Sequence, residues 1–102
     1  DLVLSGHDHL YARTYLMKGM KSTGNASGLK KQGETLYLSG TSSTGSKFYE
    51  KESGKKGYIA FYDGETEKTP LISAITIQGK TLTIKTVRTT DMSVFDEITI
   101  RK

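Results

Sequence analysis

Short runs of Val, Ile, Leu, Thr and aromatic residues alternate along this chain with connections rich in Gly, Ser and Lys, and no stretch has the period of a long helix. The last third carries the clearest pattern. Leu71–Ile77, Thr81–Thr89 and Val94–Arg101 are β-branched and alternate in character. Leu71, Ser73, Ile75 and Ile77 form a more apolar face than Ile72, Ala74 and Thr76, while Leu82 and Ile84 alternate with Thr83 and Lys85, and Ile98 and Ile100 with Thr99 and Arg101. Gln78-Gly79-Lys80 makes a tight hairpin between the first two runs, and Thr90–Ser93 joins the second to the third. This predicts an antiparallel meander over 71–101 with one face buried and one wet, a structural cover over a core with no catalytic constellation of its own.

Four further strands are predicted upstream. Asp1–Ser5 reads as a short buried strand of the central parallel kind, and Tyr11–Met17 as a second, followed by a polar loop through Lys18–Gly33. Thr35–Ser39 leads into the small-residue loop Gly40–Ser46. That loop has neither the spacing nor the following helix of a phosphate-binding loop, and reads as a flexible connection. Gly57–Asp63 is rich in aromatics and closes on the turn dipeptide Asp63-Gly64, and Pro70 sets an extended entry to the meander.

At 102 residues the chain allows one domain at most. Hydrophobic content of 34% is low, and no window reaches the length of a membrane helix. The absence of cysteine excludes disulfides and thiolate metal sites but leaves the compartment open. The net charge of +4 is carried largely by Lys30, Lys31, Lys47, Lys51, Lys55 and Lys56, which suits anionic substrates or simply a solvated face. With arginine only at 13, 88 and 101, the footprint of a nucleic-acid binder is missing.

Candidate chemistry concentrates in Gly6-His7-Asp8-His9, which holds both histidines of the chain directly after the apolar run Leu2-Val3-Leu4. Gly6 lets the backbone turn, and in an extended segment His7 and His9 leave it in similar directions with Asp8 pointing away. Two imidazoles so placed can serve one metal ion, or one each of a close pair. The spacing alone equally describes a surface turn that happens to carry two histidines.

The wider segment Asp1–Thr14 resembles the last signature block of the calcineurin-like metallophosphoesterases, closest to their purple-acid-phosphatase branch: an apolar strand, Gly-His-x-His, then an aromatic and an Arg. Tyr11 and Arg13 match that block, and Ala12 stands where Glu is common. The resemblance covers about 14 residues. It implies a four-layer αββα sandwich in the intact protein, of which this chain would be the mostly antiparallel β-rich C-terminal portion, with residues 1–20 as ligand strand and loop. It further implies hydrolysis of phosphomonoesters or phosphodiesters at a dinuclear centre of Fe, Zn or Mn. His7 would then hold the second, divalent ion and His9 the first, Fe-type ion. Asp8 would face the substrate mouth or hold the loop, Tyr11 and Arg13 would support the ligands, line the rim or pack, and the 40–46 loop would border the site.

The other ligand blocks of that family, and its general-acid histidine, do not occur in this sequence. The expectation is therefore a C-terminal fragment, inactive alone, whose partners are the missing N-terminal part of the same enzyme, a phosphate-ester substrate and, through exposed edges, a strand-paired oligomer. Family resemblance leans toward an extracellular or cell-surface setting. Two rival readings are a non-catalytic β-sandwich module binding carbohydrate or protein through Tyr37, Tyr49, Tyr58 and Tyr62, and a structural fragment that folds by exchanging strands.

Overall fold

The computed structural model describes residues 1–7, 9–45, 56–63 and 68–102. These residues form ten strands and no helix: β1 (Leu2–Ser5), β2 (Tyr11–Thr14), β3 (Met17–Lys18), β4 (Lys21–Ser22), β5 (Gly28–Leu29), β6 (Glu34–Ser39), β7 (Ile59–Asp63), β8 (Leu71–Gln78), β9 (Thr81–Arg88) and β10 (Val94–Arg101). No helix among the described residues is long and apolar enough to cross a membrane.

β6 is the spine of the first sheet. β1 runs parallel along one side, with Leu2 opposite Leu36 and Ser5 opposite Ser39. Along the other side β2 and β3 follow end to end, both antiparallel to β6, and are flanked in turn by β7 and β4. Alternation along β6 sends Glu34, Leu36 and Leu38 inward and leaves Tyr37 outside. The second sheet is the expected meander β8-β9-β10, extended by β5, which pairs parallel with the end of β10. Its Leu71, Ile84, Ile98 and Ile100 pack against Tyr11, Leu16, Leu36 and Leu38 to make the core of a β-sandwich. The predicted all-β, mostly antiparallel architecture is what the chain adopts.

Three expectations need correction. The single strand over Tyr11–Met17 is broken, because Leu16 turns fully into the core. Its N–H donates to the Asn25 carbonyl at 2.8 Å and its own carbonyl accepts the Thr23 N–H at 2.9 Å, which removes it from the ladder. The Lys18–Gly33 loop is not structureless. It contains β4 and β5, pairings of two residues each, too short for any periodicity to announce.

Burial is the third correction. β1 is parallel as expected but not buried: it has β6 on one side only, and Leu4 is 53% exposed. The meander's apolar face is likewise incompletely covered. Ile75 and Ile77 lie opposite Ile84 and Leu82, yet on edge strand β8 Ile77 is 71% exposed, because the first sheet does not reach over it among the described residues. Between the two edges, Leu4, Leu38, Leu71 and Ile72 line an apolar cleft of about 240 Å³.

Burial of this kind predicts unequal sensitivity along one face. Ile84→Val, in the closed part of the core, is expected to cost about 1 kcal/mol. Ile77→Val is expected to stay within about 0.5 kcal/mol. Urea unfolding of the two variants measures both, and equal losses would contradict the placement.

Candidate metal centre

Because β1 and β6 are parallel, their C-terminal ends lie side by side, and so do the segments that leave them. The Gly40 N–H donates to the Ser5 carbonyl at 3.1 Å, and the Thr41 hydroxyl donates to the His9 carbonyl at 3.0 Å. The Ser42 carbonyl accepts the Leu71 N–H at 3.2 Å, and the Ser42 hydroxyl accepts the Gly45 N–H at 3.1 Å. Residues 40–45 thus border the histidine segment, held by hydroxyl and backbone bonds. Tyr11, at the start of β2, pairs with Asp63 at the end of β7, which brings a third strand to the same edge. Carboxyl ends of parallel strands are where open sheets place ligands.

At this edge His7 is exposed and His9 half-buried. The turn is made differently from the sequence expectation. His7 itself takes a positive φ of 76°, whereas Gly6 lies outside the left-handed region. The segment is therefore not extended at His7, and strict alternation does not describe how the two imidazoles are presented. Among the described residues Lys68 and Met92 also take positive φ, and histidine is one of the types that adopts it more readily than most. Asp8 lies outside the described residues, as does Tyr49. No cluster of three or more metal-ligating side chains occurs among the described residues.

Tyr11 and Arg13 stand on one face of β2, turned toward the second sheet, and there meet a residue the sequence reading did not single out. Asp96 is buried on β10. Its Oδ2 accepts Arg13 Nε at 2.6 Å and the Tyr11 hydroxyl at 2.9 Å, and its Oδ1 accepts Arg13 Nη2 at 3.0 Å. The Tyr11 hydroxyl also lies 3.2 Å from that of Thr86, which is fully buried and 2.7 Å from the Ser73 hydroxyl. Around these polar groups Tyr11, Phe61 and Phe95 pack edge to face at 5.3–5.8 Å between centroids, with the Arg13 guanidinium over the Phe61 ring. A register shift between Val94 and Asp96 lets the neighbours Phe95 and Asp96 both serve this cluster. The signal for Asp96 was available: it shares the parity of Ile98 and Ile100, an acid on the apolar face of a strand.

Neither a protein-family model nor a curated protein matches the sequence. A solved structure does match. A purple acid phosphatase isolated from yellow lupin (Lupinus luteus) seeds superposes on 99% of this chain with a TM-score of 0.79, at 20% identity. The chain shares its fold with one part of that phosphatase. It corresponds to the β-rich C-terminal portion of that fold and spans 17% of the length of the lupin chain. Within this fold, the histidine segment and the 40–45 loop share one edge, and Tyr11 and Arg13 lie behind that edge, inside the sandwich.

Burial pushes the Tyr11 phenol well above its ordinary value, reinforced by the charge of Asp96. An unfolded tyrosine ionises near about pH 10, so above that pH the unfolded state sheds a proton the folded state retains. Stability from this source is complete below about pH 10 and declines above it. Tyr11→Phe should flatten that alkaline decline in urea unfolding while costing about 1–3 kcal/mol at neutral pH, because Asp96 loses a donor. Parallel alkaline profiles for the two proteins would contradict the assignment.

Proposed function

We propose that this chain is the C-terminal part of a dinuclear metal-dependent phosphoesterase, with His7 and His9 as two of its metal ligands. The carrying observation is a conjunction: the fold match extends over 99% of the chain, and the Gly-His-Asp-His segment leaves the end of a parallel strand beside the 40–45 loop. The donor chemistry suits the group, since neutral imidazole suits Fe and Zn, with Mn accommodated in a mixed carboxylate site. When bound, two such ions supply an activated water and a clamp for a phosphate ester. The chain's own part is to deliver the imidazoles from a left-handed turn at His7, to hold the His9 carbonyl through Thr41, and to rim the site with residues 40–45. The substrate would be a phosphomonoester or phosphodiester, favoured by the net charge of +4.

The remaining ligands and the general acid would come from elsewhere in a longer protein. That protein would also cover the apolar groups left open on β1 and β8. Tyr37 and Tyr58 are exposed, as a carbohydrate- or protein-binding module would require, but they sit on the outer side of β6 and at the entry to β7, away from the histidine edge.

In the full-length protein, His7→Ala and His9→Ala should each lower bound metal, measured by elemental analysis, and reduce phosphate-ester turnover by orders of magnitude. Full occupancy and normal turnover in both would overturn the assignment. The 102-residue chain alone, assayed with a chromogenic phosphate ester and added Zn, Fe or Mn, should show no turnover above that of the free metal. Sustained turnover would contradict the reading of the chain as one part of the site.

A further inference from the structure

Both ends of the connector that carries the histidines are fixed by strand pairing, and the second is fixed by side chains as well. Ser5 is held by pairing with Ser39 and by the Gly40 N–H. Tyr11, only two residues past His9, is held by pairing with Asp63 on β7 and, through its side chain, by the inter-sheet cluster. That cluster has one anion. Asp96 receives the Tyr11 hydroxyl and two nitrogens of Arg13, while Arg13 Nη1 is buried with no hydrogen-bond partner among the described residues. Asp96 is thus the single counter-charge that the Arg13 guanidinium has among the described residues. Its removal would leave the donors of Tyr11 and Arg13 buried without an acceptor, and β2 would have to shift or admit water to satisfy them.

From this placement we infer that Asp96, 87 residues beyond His9 in the chain, is a positioning residue for the metal-ligating segment, acting through Tyr11 and Arg13. The inference rests on His7 and His9 being ligands, and deepens that reading. The bulge at Val94/Asp96 aims the carboxylate at β2, and Thr86 and Ser73 continue the chain of hydrogen bonds across the second sheet. The meander is therefore more than a cover. It sets where β2 begins, and so where His9 stands. Groups bonded directly to a metal ligand change metal affinity by about 10–100-fold when removed, and a residue acting through β2 is expected at the lower end of that range.

The test is zinc affinity of the full-length protein, measured by competition with a chromogenic chelator under conditions where circular dichroism shows each variant folded. Asp96→Asn is expected to weaken zinc binding by about 10-fold, and Tyr11→Phe by less. The double variant should be no weaker than Asp96→Asn, because both act through one cluster. Ile84→Val, which loosens the apolar core but removes no donor or acceptor of the cluster, should lower the unfolding temperature and leave affinity within twofold. A lowered unfolding temperature with unchanged affinity in Asp96→Asn would overturn the proposal, leaving Asp96 a clamp between sheets. If Asp96→Asn does not fold, Tyr11→Phe decides by the same criterion. Full zinc binding in His7→Ala and His9→Ala would overturn this inference together with the ligand assignment, whereas loss in those variants with none in the cluster variants would overturn the positioning role alone.

Discussion

A carboxylate buried between two sheets costs several kcal/mol of desolvation unless donors surround it, and Asp96 is surrounded. Arg13 grips it through two nitrogens, Tyr11 adds its hydroxyl, and three aromatic rings exclude water around them. The energetic consequence is asymmetric. The intact cluster adds little net stability over an apolar core of the same volume, while a cluster missing one partner is strongly destabilised. What it provides is register: β2 cannot slide against β10 without breaking charged hydrogen bonds. Small sandwiches held by apolar contacts alone have less to specify one alignment, and this one is only partly closed.

The second constraint is directional. A parallel pair at β1 and β6 forces two different chain segments to leave the sheet at the same edge, and that is where the histidines and the 40–45 loop meet. An antiparallel pairing would have sent them to opposite ends. The antiparallel meander and the parallel pair thus divide the work: one fixes the back of the sandwich, the other gathers the candidate chemistry at its rim. Cover is incomplete where the two sheets end, at Leu4 on β1 and at Ile75 and Ile77 on β8, which fits a portion of a larger fold.

Much of this was legible in the amino-acid sequence. Alternation in Leu71–Ile77, Thr81–Thr89 and Val94–Arg101 gave the meander to within a residue or two, since period-two patterning over eight residues has few other solutions. The strands at 35–39 and 57–63 were also placed. Periodicity could not show the break at Leu16, which comes from one side chain preferring the core to the ladder, nor the two-residue pairings of β4 and β5. An apolar run reports what a strand needs, not whether a neighbour supplies it, and among the described residues β1 has β6 alone beside it. At the site, the histidines were found by residue type, but the left-handed turn at His7 was assigned to Gly6, the residue that would have made it at least cost. Asp96 was missed for a different reason. Its partners are more than 80 positions away, and only the packing of the two sheets brings a lone acid on an apolar face against Tyr11 and Arg13.

The most direct measurement is a crystal structure of the full-length protein with bound metal located by anomalous scattering. The account predicts metal density within about 2.0–2.1 Å of an imidazole nitrogen of both His7 and His9. Metal bound elsewhere, with both imidazoles in open solvent, would contradict it.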